Sequence, residues 1–174
     1  MVQWKSNLFF ACLSAAFVSM TYFDVLCKLM EELTPHRPVM FDPQLSYSSH
    51  DIQPLLKALG EQGRSLYLKV YYLDFALFPF FYGAIMFLSL DYLQARKIRW
   101  LTLFASVMDM LENSCVVYLI LHFDTVMPYT HSAEFLLPYL TSAKWIGFAT
   151  NIVLVLFYFI LRMFQQIADK IKSE

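Results

Sequence analysis

The sequence predicts an all-α integral membrane protein: a four-helix transmembrane bundle with a short amphipathic helix in its first extramembrane loop. Three observations carry that expectation. The 174 residues are 59% hydrophobic and only 16% charged, with a mean hydropathy of +0.50, whereas a soluble domain is about 25% charged. Four stretches reach the roughly 20 apolar residues that a bilayer-crossing helix needs. None of the four shows the strict alternation of a barrel strand. A formal net charge of −1 and the lack of a basic block exclude a nucleic-acid partner. Three cysteines cannot form a disulfide framework. The length suits a single transmembrane domain over residues 1–174.

The first span is expected at about 8–29. Lys5 before an apolar run also fits a signal peptide, but the run is long for one. The outer loop covers about 30–66. Its opening, LTPHRPVMFDP, holds prolines that oppose a helix. Further on, Ser48, Ser49 or Asp51 can cap a short helix whose first turn tolerates Pro54. Leu55, Leu56 and Leu59 give that helix an apolar face and Gly60 a stop. It is expected either to lie on the outer interface or to pack over the mouth of the bundle.

The remaining spans are expected at about 67–90, 100–122 and 136–163. Arg96, Lys97 and Arg99 crowd the second connection, Arg162, Lys170 and Lys172 the tail, and Lys5 the N-terminus. Positive residues favour the cytosolic side, which places both termini there. Trp4, Trp100, Tyr92 and Tyr139 fall where interfacial anchors belong. The ending KIKSE, with Lys170 and Lys172, is similar to the dilysine retrieval signal of eukaryotic endoplasmic reticulum membrane proteins.

Polar groups inside the spans carry the functional information, because charge at mid-membrane is costly and usually faces the bundle interior. Asp109, Glu112 and Asn113 are spaced to share one face of the third span. Asp74 lies in the second span, one turn before Pro79, where a kink is expected. Lys144 lies in the fourth, with Asn151 seven residues on along the same face. At about 1.5 Å per residue, Glu112 sits roughly 15 Å below the outer surface and Lys144 roughly 9 Å, a gap that a lysine stem can bridge. Three carboxylates then face one ammonium, so at least one is expected to hold a proton, or the cluster a cation. The alternative is that these groups simply hold the helices together. Asp24 and Lys28, four apart, are expected to pair locally.

Phe75, Phe78, Phe81 and Tyr82 offer a wall for a flat apolar ligand, or ordinary packing. His36, His50, His122 and His131 lack zinc-ligand spacing, so no metal is expected. Cys12, Cys27 and Cys115 read as small apolar fillers. Ala143 and Gly147 fit the pattern for close helix approach. No phosphate loop, dinucleotide fingerprint, nucleophile elbow or zinc-protease motif is present, so no cofactor is expected.

The run YSSHDIQPLLKALGEQGRSLYLKVYYLDFALFPFFYG, with DMLEN and TSAKW, resembles small four-span membrane proteins of unassigned activity. In layout alone the chain also resembles the emopamil-binding and sigma-2 receptor superfamily, whose members bind sterols and cationic amphiphiles and in part isomerise sterol double bonds. That resemblance implies Asp74 and Glu112 as ligand-facing acids. Isomerising members carry a histidine in the bundle, which no span interior holds here.

The leading expectation is a sterol, lipid or amphiphile held between the spans. The alternatives are a non-catalytic accessory or assembly subunit with a membrane-protein partner or a homo-oligomeric contact, an intramembrane enzyme or isomerase using Asp109 and Glu112, and proton-coupled transport. Enzyme activity is left open, with the balance against it.

Overall fold

The computed structural model describes residues 2–33, 47–125 and 130–173, and they are helical with no strand among them. Helix α1 covers Val2–Leu33, α2 Ser49–Ala58, α3 Gly60–Tyr92, α4 Thr102–Leu121 and α5 Thr130–Ser173. A single 3-10 turn, Arg99–Leu101, leads into α4. The proline-rich start of the outer loop lies outside the described residues.

Three helices among the described residues are long and apolar enough to cross a membrane: Gly60–Tyr92, Arg99–Leu121 and Thr130–Lys172. The sequence pointed to four. The remaining expected span falls on α1, whose apolar stretch Asn7–Tyr22 is bounded on both sides by residues with side chains outside the described ones; further along, Asp24 and Lys28 pair at 2.8 Å on an exposed face.

Helix α2 forms as its residues dictate. Ser48 accepts from the backbone N–H of His50 at 3.3 Å, and the Asp51 carboxylate accepts from the Ser48 N–H at 3.1 Å. The Ser48 side chain also accepts from the Asp51 backbone N–H, which with the Asp51 carboxylate bond makes a capping box. With Ser48 as cap, Pro54 falls past the first turn, inside the helix, and removes one interior N–H. Gly60 takes φ +64°, a left-handed value open to glycine at little cost, and α3 starts there without a linker. Arg64 donates to the carbonyl of Leu56 at 3.2 Å and lies 4.1 Å over the Phe123 ring.

The apolar face of α2 does not look out to lipid. Ile52 and Leu56 are fully buried against Tyr67, Val70 and Tyr71 of α3, Val116 and Leu119 of α4, and Leu137 of α5. Gln53 also hydrogen-bonds Glu134 of α5. Helix α2 is therefore a lid over one end of the bundle.

At the other end a tight turn joins α3 to α4. Asp91, buried, takes an ion pair from Arg99 and faces Arg96 at 3.9 Å. The Arg99 guanidinium lies 4.8 Å from the Phe87 ring centroid. Between the two ends α3, α4 and α5 approach closely at two glycines. A Cβ on Gly83 would collide with Ser106 Oγ, and one on Gly147 would stand 3.2 Å from Ala105 Cβ. The small residue expected at 147 thus meets a small residue on α4. Pro79 lies within α3 without ending it.

Candidate functional site

The inner face of α4 is polar along most of its length. Thr102, Ser106, Asp109, Glu112 and Asn113 recur at helical spacing and are all buried. Helix α5 adds Thr141, Lys144 and Asn151, and α3 adds Asp74 and Tyr82, also buried. Buried charge in so apolar a chain needs partners, and the geometry supplies them.

Lys144 is the electrostatic centre. Its Nζ lies 2.6 Å from Glu112 Oε2 and 3.6 Å from Asp109 Oδ1, so one ammonium serves two carboxylates. It also stands 5.5 Å from the Trp145 ring centroid. The other oxygen of Glu112 accepts from the Thr141 hydroxyl at 2.6 Å. Thr141 in turn lies 3.0 Å from the Tyr47 hydroxyl, which comes from the segment ahead of α2. When Thr141 gives its proton to Glu112, Tyr47 is the donor to Thr141.

Asn113 links the remaining acids. Its Nδ2 donates to Asp74 Oδ2 across the α3–α4 gap and to Asp109 Oδ1 at 3.3 Å. One side-chain amide thus spends its two N–H groups on two carboxylates. Asp74, Asp109, Glu112, Asn113 and Lys144 are therefore brought together in one network across three helices. Asn151 is not part of it. It lies about two turns further along α5 and donates to the backbone carbonyl of Thr102 at 3.2 Å.

One edge of the network is incompletely satisfied. The Tyr82 hydroxyl is buried with no hydrogen-bond partner among the described residues. Ser106 Oγ and Asn113 Oδ1 are likewise buried with no hydrogen-bond partner among the described residues. Beside them runs an aromatic series: Phe78 to Tyr82 at 5.4 Å, Tyr82 to Phe148 at 5.6 Å, and Phe148 to Trp145 at 6.0 Å, each edge-on or nearly so. Phe81 is half-buried. The side chain of Phe75 lies outside the described residues.

Sequence reasoning did not single out Thr141, Ser106, Thr102, Tyr47 or Phe148. A hydroxyl in an apolar helix usually bonds back to its own chain, so its type alone does not reveal a contact across helices. The position of Thr141 three residues before Lys144 was the available signal, because that spacing sets both on one face.

Among the described residues no group of three or more His, Cys, Asp and Glu side chains is arranged to hold a metal. His122 packs on Tyr118 at 4.6 Å and His131 pairs with Glu134 at 3.3 Å. Lys170 and Lys172 sit exposed in the last turn of α5. Comparison with protein-family models, curated proteins and solved structures finds no match.

Proposed function

We propose that this chain is a multi-pass membrane protein that holds an amphiphilic ligand, a sterol, lipid or amphiphilic amine, within its helix bundle. Helix α1 serves as the fourth span, both termini face the cytosol, and Lys170 and Lys172 act as a retrieval signal for the endoplasmic reticulum. The carrying observation is the unfinished polar edge: Tyr82 Oη, Ser106 Oγ and Asn113 Oδ1, all buried and lacking hydrogen-bond partners among the described residues, beside Asp74 and Asp109. Each such atom costs about 1–3 kcal/mol if nothing completes it.

That edge is rich in acceptors, so the matching head group donates: an ammonium or a hydroxyl. The aromatic series Phe78–Tyr82–Phe148 suits the flat apolar body. Glu112 is committed to Lys144 and Thr141, which moves the ligand-facing role from Glu112 to Asp109 and Asp74. No histidine lies among the buried polar groups of the described residues, and the reading is binding rather than catalysis.

Native mass spectrometry of the protein in mild detergent, with lipid extraction of the same sample, tests this. The expected result is one predominant sterol or lipid, lost in both Asp74→Asn and Tyr82→Phe. A bare protein, or an unchanged lipid profile in both variants, overturns the proposal. Arrival only with other polypeptides supports an assembly subunit instead.

A further inference from the structure

We infer that α5 pairs with α5 of a second copy of this chain, along an apolar seam that continues past the end of the bundle. The seam is Val153, Phe157, Ile160, Phe164, Ile167 and Ile171, with spacings that alternate between four and three residues. That is the a/d spacing of a coiled-coil seam. All six are between 50% and 69% exposed.

The placement of α5 explains why lipid alone does not cover this surface. Asn151 is its last buried residue, and Asn151 bonds Thr102, where α4 begins. Residues 152–173 continue from that level, about 33 Å of further helix at 1.5 Å per residue. Exposed apolar side chains extend along α5 from Phe135 to Ile171, roughly 54 Å, against a hydrocarbon core about 30 Å thick. Part of that length must meet protein or water.

The pattern becomes diagnostic after Arg162. There the seam positions Phe164, Ile167 and Ile171 stay apolar, while Arg162, Gln165, Gln166, Asp169 and Lys172 on the opposite face are all polar. A lipid-facing helix needs no such segregation, whereas a coiled-coil strand in water does. No proline or glycine follows Gly147, so α5 has no breaker at which to fold down onto a membrane surface.

The occupant is a second copy because the seam is self-complementary. Two copies inserted in one membrane have the same sense, so their α5 helices run parallel and identical positions meet across a two-fold axis. The parallel sense rests on the membrane placement proposed above. Lys170 is the one charged residue that borders the seam, so pairing brings little like charge together. Leu156, Leu161 and Met163, also exposed, flank the six seam residues and widen the apolar strip, and a stable interface buries roughly 800 Å² per partner.

The test is cysteine cross-linking of the full chain with Cys12, Cys27 and Cys115 replaced by alanine. Single cysteines at Phe164, Ile167 and Ile171, and at Gln165, Gln166, Asp169 and Lys172, are oxidised in mild detergent and in phosphatidylcholine vesicles. The expected result is disulfide dimer at the three seam positions, at least five-fold above the four outer ones, with a dimer mass by light scattering. Equal cross-linking at all seven positions, no cross-linking, or a monomer mass overturns the inference. Lipid extraction of the same samples separates the two ideas: seam failure with the lipid retained leaves the ligand proposal standing, and seam dimers without lipid leave the dimer standing.

Discussion

Lys144 and Glu112 form a buried ion pair at 2.6 Å between α5 and α4, and the same ammonium lies 3.6 Å from Asp109 one turn away. Removing one member of a buried pair strands the other, which costs far more than replacing both with apolar groups. Lys144→Met strands two carboxylates and Glu112→Gln strands none, since Asp109 remains for the lysine. Lys144→Met is therefore expected to destabilise by about 3 kcal/mol, clearly more than Glu112→Gln. The double variant Lys144→Met/Glu112→Leu should recover part of the loss. Thermal unfolding in detergent, with the coupling taken from the double-mutant cycle, checks this. Equal losses in the two single variants would show that Asp109 does not share the lysine.

Thr141 is expected to couple the outer segment to the core. Its hydroxyl lies between Tyr47 and Glu112, at 3.0 Å and 2.6 Å. Thr141→Val keeps the shape and removes both bonds, so it should cost about 1–2 kcal/mol, and Tyr47→Phe about 1 kcal/mol or less. The two effects should be non-additive, because Tyr47 acts through Thr141. Hydrogen exchange at the start of α2 should rise in both variants.

Helix α2 should behave as a lid. Leu56→Ala empties a fully buried site beneath it and is expected to cost about 2–4 kcal/mol. Ser48→Ala removes only the cap and should cost about 1 kcal/mol. Limited proteolysis between α1 and α3 should accelerate in Leu56→Ala well before global unfolding. Unchanged cleavage would mean that α2 does not close this end.

Much of this was legible in the sequence, for definable reasons. The spacing of Asp109, Glu112 and Asn113 fixes a common face whatever surrounds the helix, and 1.5 Å per residue was enough to bring Lys144 within reach of Glu112. The direction of the α2 face was open, since Leu55, Leu56 and Leu59 suit a lipid surface as well as a bundle. Only contact with Tyr67, Leu119 and Leu137 decides it. The end of α5 was also hidden. Apolarity drops at Arg162, so the span was expected to finish at 163, whereas residues such as Gln165, Gln166, Lys170 and Lys172 favour helix, which runs on to Ser173. The number of spans turned on α1, where the side chains flanking Asn7–Tyr22 lie outside the described residues.

Gly147 offers the sharpest test of how α4 and α5 are held. A Cβ there would stand 3.2 Å from Ala105 Cβ, 3.3 Å from Ala105 Cα and 3.0 Å from a Phe104 ring atom. The ring can turn aside, but backbone cannot. Gly147→Ala should therefore be tolerated only through a shift of a few tenths of an ångström, whereas Gly147→Val should push the helices apart and cost about 1–3 kcal/mol. The shift acts on the network as well, because Lys144 lies one turn above on α5 and its contacts to Glu112 and Asp109 cross the same gap. Gly147→Val combined with Lys144→Met should then lose less than the sum of the two single effects. Full additivity would mean that the helix contact at Gly147 and the charge network are independent.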